Sequence, residues 1–221
     1  MGAIPSRIVS RETPAPRRHL FDLGPPVVLA HPVYEAPPMV APGALVRHRV
    51  LSADQPWRFD DRLPGRGRGA AKHYQTLSVE ELLRFPLPLM ERDSVLFLWR
   101  VSAMQQEALD VIRAWGFTLK SELVWCKTTR RGKRHMGMGR IVRGEHETCL
   151  IATRGRPVCL VKNMRSTFDA PVRRHSEKPA EFFAIVERLY RGPYVELFAR
   201  RNRPGWTTLG NQVGLLDGVA A

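Results

Sequence analysis

Residues Val95-Leu96-Phe97-Leu98-Trp99 form an apolar run with no polar residue in it. A strand with one wet face alternates, so an unbroken run reads as a strand buried on both faces, as in a parallel sheet covered by helices. Such a strand needs a layer above it and a layer below. The rest of the chain supplies candidates for both. Val50 to Ala53 is a second short run, and Leu123 to Cys126, Thr148 to Ala152 and Val158 to Leu160 read as further strands. Met104, Ala108, Val111, Ile112 and Trp115 recur at helical spacing and stop at Gly116. Phe182, Phe183, Ile185, Val186 and Leu189 mark another amphipathic helix, with Pro179 expected at its first position. Ser78 with Glu81, and Ser102 with Gln105, have the spacing of capping boxes. Val195 to Phe198 is the last clear strand. Strand and helix alternate, which predicts an α/β fold with a mostly parallel sheet.

Half of the chain's 18 prolines fall in residues 1–44, so this stretch reads as an extended basic arm and residues 45–221 as the folded domain. A net charge of +14 favours a polyanionic partner such as nucleic acid, although a basic surface also serves solubility. The three cysteines lack Cys-x-x-Cys spacing, so neither a metal site nor a disulfide framework is expected, and a reducing cytoplasm is the expected compartment. No apolar run has the length of a membrane span, and no signal peptide is read at the amino terminus.

The first strand ends abruptly at Asp54-Gln55-Pro56-Trp57. Ligands of open α/β sheets sit beyond the carboxyl ends of strands, so an acid and an aromatic there read as a site; a surface turn is the plainer alternative. Arg58 to Lys72, rich in Gly and Arg, reads as a loop over that site. Between residues 127 and 143 there is no acid, while Lys127, Arg130, Arg131, Lys133, Arg134, His135, Arg140 and Arg143 are basic. That segment is either a grip on a phosphate backbone or a solvated charged surface. Gly-x-Gly-x-x-Gly, a Walker loop and a nucleophile elbow are all missing, which removes the usual support for dinucleotide, NTP and acyl-transfer chemistry.

Six segments, in order, resemble one family. They are Tyr74-Gln75-Thr76-Leu77, Leu96-Phe97-Leu98-Trp99, Trp125-Cys126-Lys127-Thr128, Arg173 to Pro179, Glu196-Leu197-Phe198-Ala199-Arg200, and Trp206 to Gln212. Together with the turn at Asp54, they are similar to the signature of the N6-adenine methyltransferases that include the catalytic subunit of the eukaryotic mRNA adenosine methyltransferase and bacterial and phage relatives. The resemblance implies a class I, Rossmann-like methyltransferase fold in permuted order, with the catalytic motif ahead of the motifs for S-adenosylmethionine. It implies that Glu196 accepts hydrogen bonds from ribose hydroxyls, with Arg200, Asn202, Asn211 and Gln212 completing a nucleoside site and Lys178 facing the methionine end. A plain ion pair between Glu196 and Arg200 remains the alternative. Tyr74 and the basic loop would meet nucleic acid. A homo- or hetero-dimer stays open.

The chemistry suits these residue types. An adenine amino nitrogen has its lone pair delocalised into the ring, so a catalyst must localise that pair. Asp54 and a main-chain carbonyl of the turn can accept the two amino hydrogens, and Trp57 can stack on the base, worth about 1–3 kcal/mol. The family's turn is Asp-Pro-Pro-Trp, and Gln55 departs from it. Because Gln has the same backbone carbonyl, its side chain is expected to matter less than its backbone position. DNA is favoured over RNA by the compact, bacterial or phage-like build. An inactive nucleic-acid-binding subunit is the reading from another class, which Gln55 keeps open.

Overall fold

The computed structural model describes residues 46–58, 76–139, 141–173 and 177–210. Residues 1–44, Tyr74, most of the Gly-Arg loop, His175, Asn211 and Gln212 lie outside the described residues. The apolar run falls in β2 (Met90–Arg100), where Val95 to Trp99 are all buried. Beside it lies β1 (His48–Ala53), then α1 (Val79–Leu83), α2 (Gln105–Ala114), β3 (Thr118–Thr128), β4 (His146–Arg154), β5 (Thr167–Pro171), α3 (Ala180–Leu189), β6 (Tyr194–Leu197) and β7 (Trp206–Leu209). The strands form one sheet of order β5-β3-β4-β2-β1-β6-β7. Both pairings of β4 are antiparallel, and the other four are parallel. The sheet is the mostly parallel one expected of an α/β, Rossmann-like methyltransferase, with one reversed strand in its interior.

The alternation of side chains along a strand sends the two halves of the run to opposite layers. Leu96 and Leu98 join Leu51, Ala53, Ala108, Val111 and Ile112 on the face covered by α1 and α2. Val95, Phe97 and Trp99 pack with Phe182, Phe183, Val186 and Leu189 of α3 on the other face. Each such large side chain contributes about 1.5–3 kcal/mol on burial, so the middle strand is anchored from both sides. The edge-on ring contacts of Phe182 with Phe97 and Trp99, at centroid distances of 6.0 and 4.8 Å, lock α3 against β2. On the first face, Trp115 Nε1 donates to Leu82 O at 2.8 Å and ties α2 to α1.

Several boundaries differ from expectation. The capping box of Ser78 and Glu81 forms, with both hydrogen bonds made. The one at Ser102 does not: Ser102–Met104 is a 3-10 turn, and Met104 stands at the helix start with no side-chain cap. Pro179 is the N-cap of α3, one residue before the first helical position. Val158 to Leu160 is not a strand; Val158 is largely exposed, and β5 at Thr167–Pro171 takes the edge beside β3 instead. β7 lies beyond the last strand expected from sequence. β3 begins at Thr118, five residues before its buried part, because antiparallel pairing with β4 extends it through exposed residues that are polar apart from Leu119.

Candidate active site

Strand order reverses at β1: its next strand in sequence, β2, lies on one side, and β6 lies on the other, both parallel to it. A crevice at the carboxyl ends of two such neighbours is where ligands of open α/β sheets bind. Asp54 follows β1 there, and Glu196 stands near the end of β6. A narrow cleft joins them, lined by Asp54, Glu177, Lys178, Glu196, Arg200 and Arg203 among others. Four residues singled out from sequence thus meet in one place. The cleft is nearly shut, at about 30 Å³, room for a water or two. A cavity of about 440 Å³ lies at the opposite rim among Arg49, Asp93, Arg156 and Arg191, yet it holds none of those residues.

The turn itself is pinned from two directions. Trp57 N–H donates to Gln55 O at 2.9 Å, Leu77 N–H donates to Pro56 O at 2.8 Å, and Arg58 N–H donates to Leu77 O at 3.0 Å. From the side, Gln55 Nε2 and Trp57 Nε1 both donate to Trp99 O, at 3.1 and 3.2 Å. Gln55 is 3% exposed. Its side chain is therefore a structural tether between the turn and the end of β2, a contact added to the backbone role expected of this position. The same burial leaves Gln55 Oε1 without a partner among the described residues. Trp57 is 5% exposed and belongs to the core beneath α1 and α2. Buried in this way, its ring braces the turn, and the stacking role read from sequence would require the ring to be uncovered.

Lys178 lies just before α3, with its side chain 8% exposed. Its ammonium sits 2.7 Å from Asp54 Oδ2, 3.3 Å from Glu147 Oε2 and 5.1 Å from the centre of the Trp99 ring. Glu147 in turn meets Lys127 at 2.6 Å. An alternating chain Lys127–Glu147–Lys178–Asp54 therefore runs along the rim from β3 to β1. Burial pushes the Glu147 carboxyl up, but Lys178 and Lys127 on either side outweigh it and hold it down at about 2. Burial works against the Lys178 charge too, and Asp54 and Glu147 reverse the effect, so its pKa is raised. An ammonium has three donors, and two are committed to these carboxylates. Lys178 first of all orients Asp54, and one donor at most is left for another ligand.

Glu196 is treated differently. Burial, with a smaller push from Asp54, raises its carboxyl to about 7 against the pull of Arg203. Its Oε2 and Arg203 Nε lie 3.8 Å apart, and neither has a hydrogen-bond partner among the described residues. Glu196 thus makes a long contact with Arg203, whose guanidinium lies 3.3 Å over the Phe183 ring. A buried acceptor lacking a donor, facing a cleft, suits a hydroxyl-bearing ligand such as a ribose. Next to it, Phe198 takes φ +61°, a region that costs a bulky residue about 1–3 kcal/mol, and its ring packs on Phe85 at 4.8 Å. A Cβ on Gly210 would collide with the backbone of Ala199, so the closing motif needs glycine to approach this bend. Asn202 Oδ1 accepts from Thr208 Oγ1 at 2.9 Å.

In the basic loop, Arg130, Arg131 and Lys133 are exposed and make no ion pair among the described residues. Arg134 is paired with Asp169 of β5 at 2.9 Å, and Lys127 with Glu147, so tertiary neighbours supply the acids that the loop lacks. His135 is half-buried. Sequence reasoning missed Glu147 and Arg203. Glu147 carried one usable signal, an acid at the start of a strand directly after a long basic loop; Arg203 carried none. No cluster of metal ligands occurs among the described residues, and no described helix is long and apolar enough to cross a membrane.

The sequence profile of the MT-A70 family matches residues 48–212. Over 181 residues, 79% of this chain, it is 33% identical to the N(6)-adenosine-methyltransferase MT-A70-like protein of Drosophila melanogaster. It is 32% identical, over the same share, to the N(6)-adenosine-methyltransferase catalytic subunit METTL3 of Homo sapiens. Those alignments take in 28% and 29% of the relatives, so the chain spans less than a third of their length. The type II methyltransferase M.MunI of a Mycoplasma species is 24% identical over 188 residues, covering 76% of this chain and 78% of that protein.

Proposed function

The chain belongs to the MT-A70 family, and from that premise we propose that it transfers a methyl group from S-adenosylmethionine to the exocyclic N6 of adenine in nucleic acid, DNA being the first substrate to test. The observation that carries this reading is Asp54, fixed by Lys178 at 2.7 Å at the end of β1 and sharing one cleft with Glu196. S-adenosylmethionine, when bound, supplies the electrophilic methyl group. Everything else falls to the protein. Asp54 keeps acceptor capacity beyond the oxygen held by Lys178, and the carbonyls of Gln55 and Pro56 each keep a second lone pair after the bonds they accept within the turn. An amino group meeting Asp54 and one such carbonyl would have its two hydrogens held and its lone pair localised. Such positioning can lower a barrier by up to about 7–11 kcal/mol.

Glu196 would accept the ribose hydroxyls, with Arg200 and Asn202 beside it and Asn211 and Gln212 following in sequence. Arg130, Arg131 and Lys133 would meet phosphates; Tyr74, read from sequence as a further nucleic-acid contact, lies outside the described residues. A base taken from a duplex would have to be flipped out of the stack to reach Asp54.

RNA is the second reading, supported by the higher identity to proteins named for adenosine; the likeness to a type II methyltransferase supports DNA. The test is transfer from labelled S-adenosylmethionine to DNA and to RNA, with the products digested to nucleosides. N6-methyladenine in either polymer is the expected result, and the polymer that carries it names the substrate. Folded protein that labels neither would return the chain to the role of a binding subunit.

A further inference from the structure

The loop between β3 and β4 is a built object. It first makes a tight turn, with Thr129 N–H donating to Lys133 O at 2.7 Å and Gly132 N–H to Thr129 O at 2.9 Å. It then folds back on its own strand through His135 N–H to Lys127 O at 3.0 Å. A second lobe follows, closed at its neck by Gly137 N–H to Gly144 O at 2.9 Å. Its tip is so tight that a Cβ on Gly139 would overlap Val142 O. Arg143 Nη2 contacts Met138 Sδ at 3.8 Å across the lobe.

Among its described residues this lobe displays several large apolar side chains. Met136, Met138, Ile141 and Val142 are 61%, 78%, 97% and 76% exposed. Four of the nine exposed large hydrophobics among the described residues thus fall within seven positions, and clustering of that kind marks a contact surface. The frame around them is cationic: Arg130, Arg131, Lys133 and Arg143 are exposed, and no acid occurs between residues 127 and 144. A purely apolar partner would leave those charges unmatched, whereas a polyanion with apolar faces inside it would match both. Nucleic acid is such a partner, and Met, Ile and similar side chains inserted between base steps unstack and kink a duplex. The loop is also rooted at the active site. Lys127 at its start and Glu147 just beyond its end belong to the ion-pair chain that reaches Asp54.

Resting on the methyltransferase reading, we propose that Met138, Ile141 and Val142 form a wedge that enters the base stack beside the target adenine in base-paired nucleic acid and keeps the vacated position from closing. Asp54 acts on the extracted base, and the neighbouring cations hold the flanking phosphates.

The experiment compares wild type with Met138→Ser/Ile141→Ser/Val142→Ser and with Ile141→Ser alone, whose side chain is too exposed to matter for folding. One DNA is supplied native and heat-denatured, and one RNA as a perfect duplex and as its separated strand. A duplex carrying 2-aminopurine at adenine positions is titrated in parallel. For the triple variant, the ratio of base-paired to single-stranded transfer should fall by about tenfold or more. The rise in 2-aminopurine fluorescence on binding should vanish, while the salt dependence of duplex binding is kept. An unchanged ratio, or equal loss on paired and unpaired substrates, overturns the wedge. So does a wild-type dimer that the triple variant converts to monomer in sedimentation, since the lobe would then be a contact between copies. If wild type methylates nothing, the methyltransferase reading fails, and the fluorescence titration still decides whether the lobe unstacks bases.

Discussion

On either side of β1 the rim of the sheet carries half-buried acids, and the two sides treat them in opposite ways. Toward β4, Asp54 and Glu147 are bracketed by Lys178 and Lys127 at 2.6 to 3.3 Å, and Glu147 is held at about 2. Toward β6, Glu196 Oε2 faces Arg203 Nε at 3.8 Å, neither atom has a hydrogen-bond partner among the described residues, and the carboxyl is raised to about 7. Taking charge out of water is costly unless its hydrogen bonds are replaced. The first side meets that cost internally, as expected of groups whose job is to stay still. The second leaves it unmet, as expected of groups that a ligand will complete.

The sharpest way to break the first side is Asp54→Ala, which should abolish transfer while most cofactor affinity survives; Asp54→Asn should fail nearly as badly, because an amide can turn its NH2 toward the substrate amine. Near wild-type transfer by either would move the active site elsewhere. Lys178→Met leaves Asp54 and Glu147 facing each other without their cation. It should lower stability by about 3–5 kcal/mol, seen as an earlier denaturant midpoint.

On the second side, Glu196→Ala should weaken binding of S-adenosylmethionine or its demethylated product by about 1.5–3 kcal/mol, measured by calorimetry. Its pH dependence separates the two sides. A carboxyl raised from 4.5 to about 7 favours the folded state most below 4.5 and loses that contribution as pH climbs to 7, while ligand affinity grows over the same range as the acceptor ionises. Glu147, depressed from 4.5 to about 2, contributes stability above 4.5 and loses it as pH falls toward 2. Glu196→Gln and Glu147→Gln should therefore flatten different arms of the stability–pH curve. Both variants flattening the same arm would erase the contrast.

Smaller effects sharpen the edges. Replacing Arg130, Arg131, Lys133 and Arg134 by Ser should flatten the salt slope of nucleic-acid binding by roughly 0.7–0.9 for each phosphate left unneutralised. Arg134 should contribute least, since Asp169 already neutralises it. An unchanged slope would make this loop plain surface. Gln55→Pro removes the tether to Trp99 O, worth about 1 kcal/mol, and with it the buried, unpartnered Oε1. Trp99 O keeps its bond from Trp57. The opposing terms predict a rate change within about tenfold, read as transfer by the two proteins on one substrate. A silent wild type that gains transfer through Gln55→Pro would mark Gln55 as disabling.

The layers of this protein were legible in its residues because burial on both faces leaves a one-dimensional trace: Val95 to Trp99 could only be a middle strand, and Ala108, Val111 and Ile112 only a covering helix. The end of β1 was legible too, since Asp54 interrupts its apolar run, whereas Glu196 lies within β6. Strand partners were not. Nothing local distinguishes β4, which runs against its neighbours, from a parallel strand, and β5 and β7 at the edges bury too little to announce themselves. The same limit governed the site. Which residue types gather at the rim follows from sequence, but which atoms meet depends on elements up to 124 positions apart, as with Lys178 and Asp54. Charge pairing acts over a few ångströms in space, so only the tertiary structure could give Lys178 to Asp54 and Glu147, turn Trp57 inward, and leave Glu196 Oε2 without a hydrogen-bond partner among the described residues.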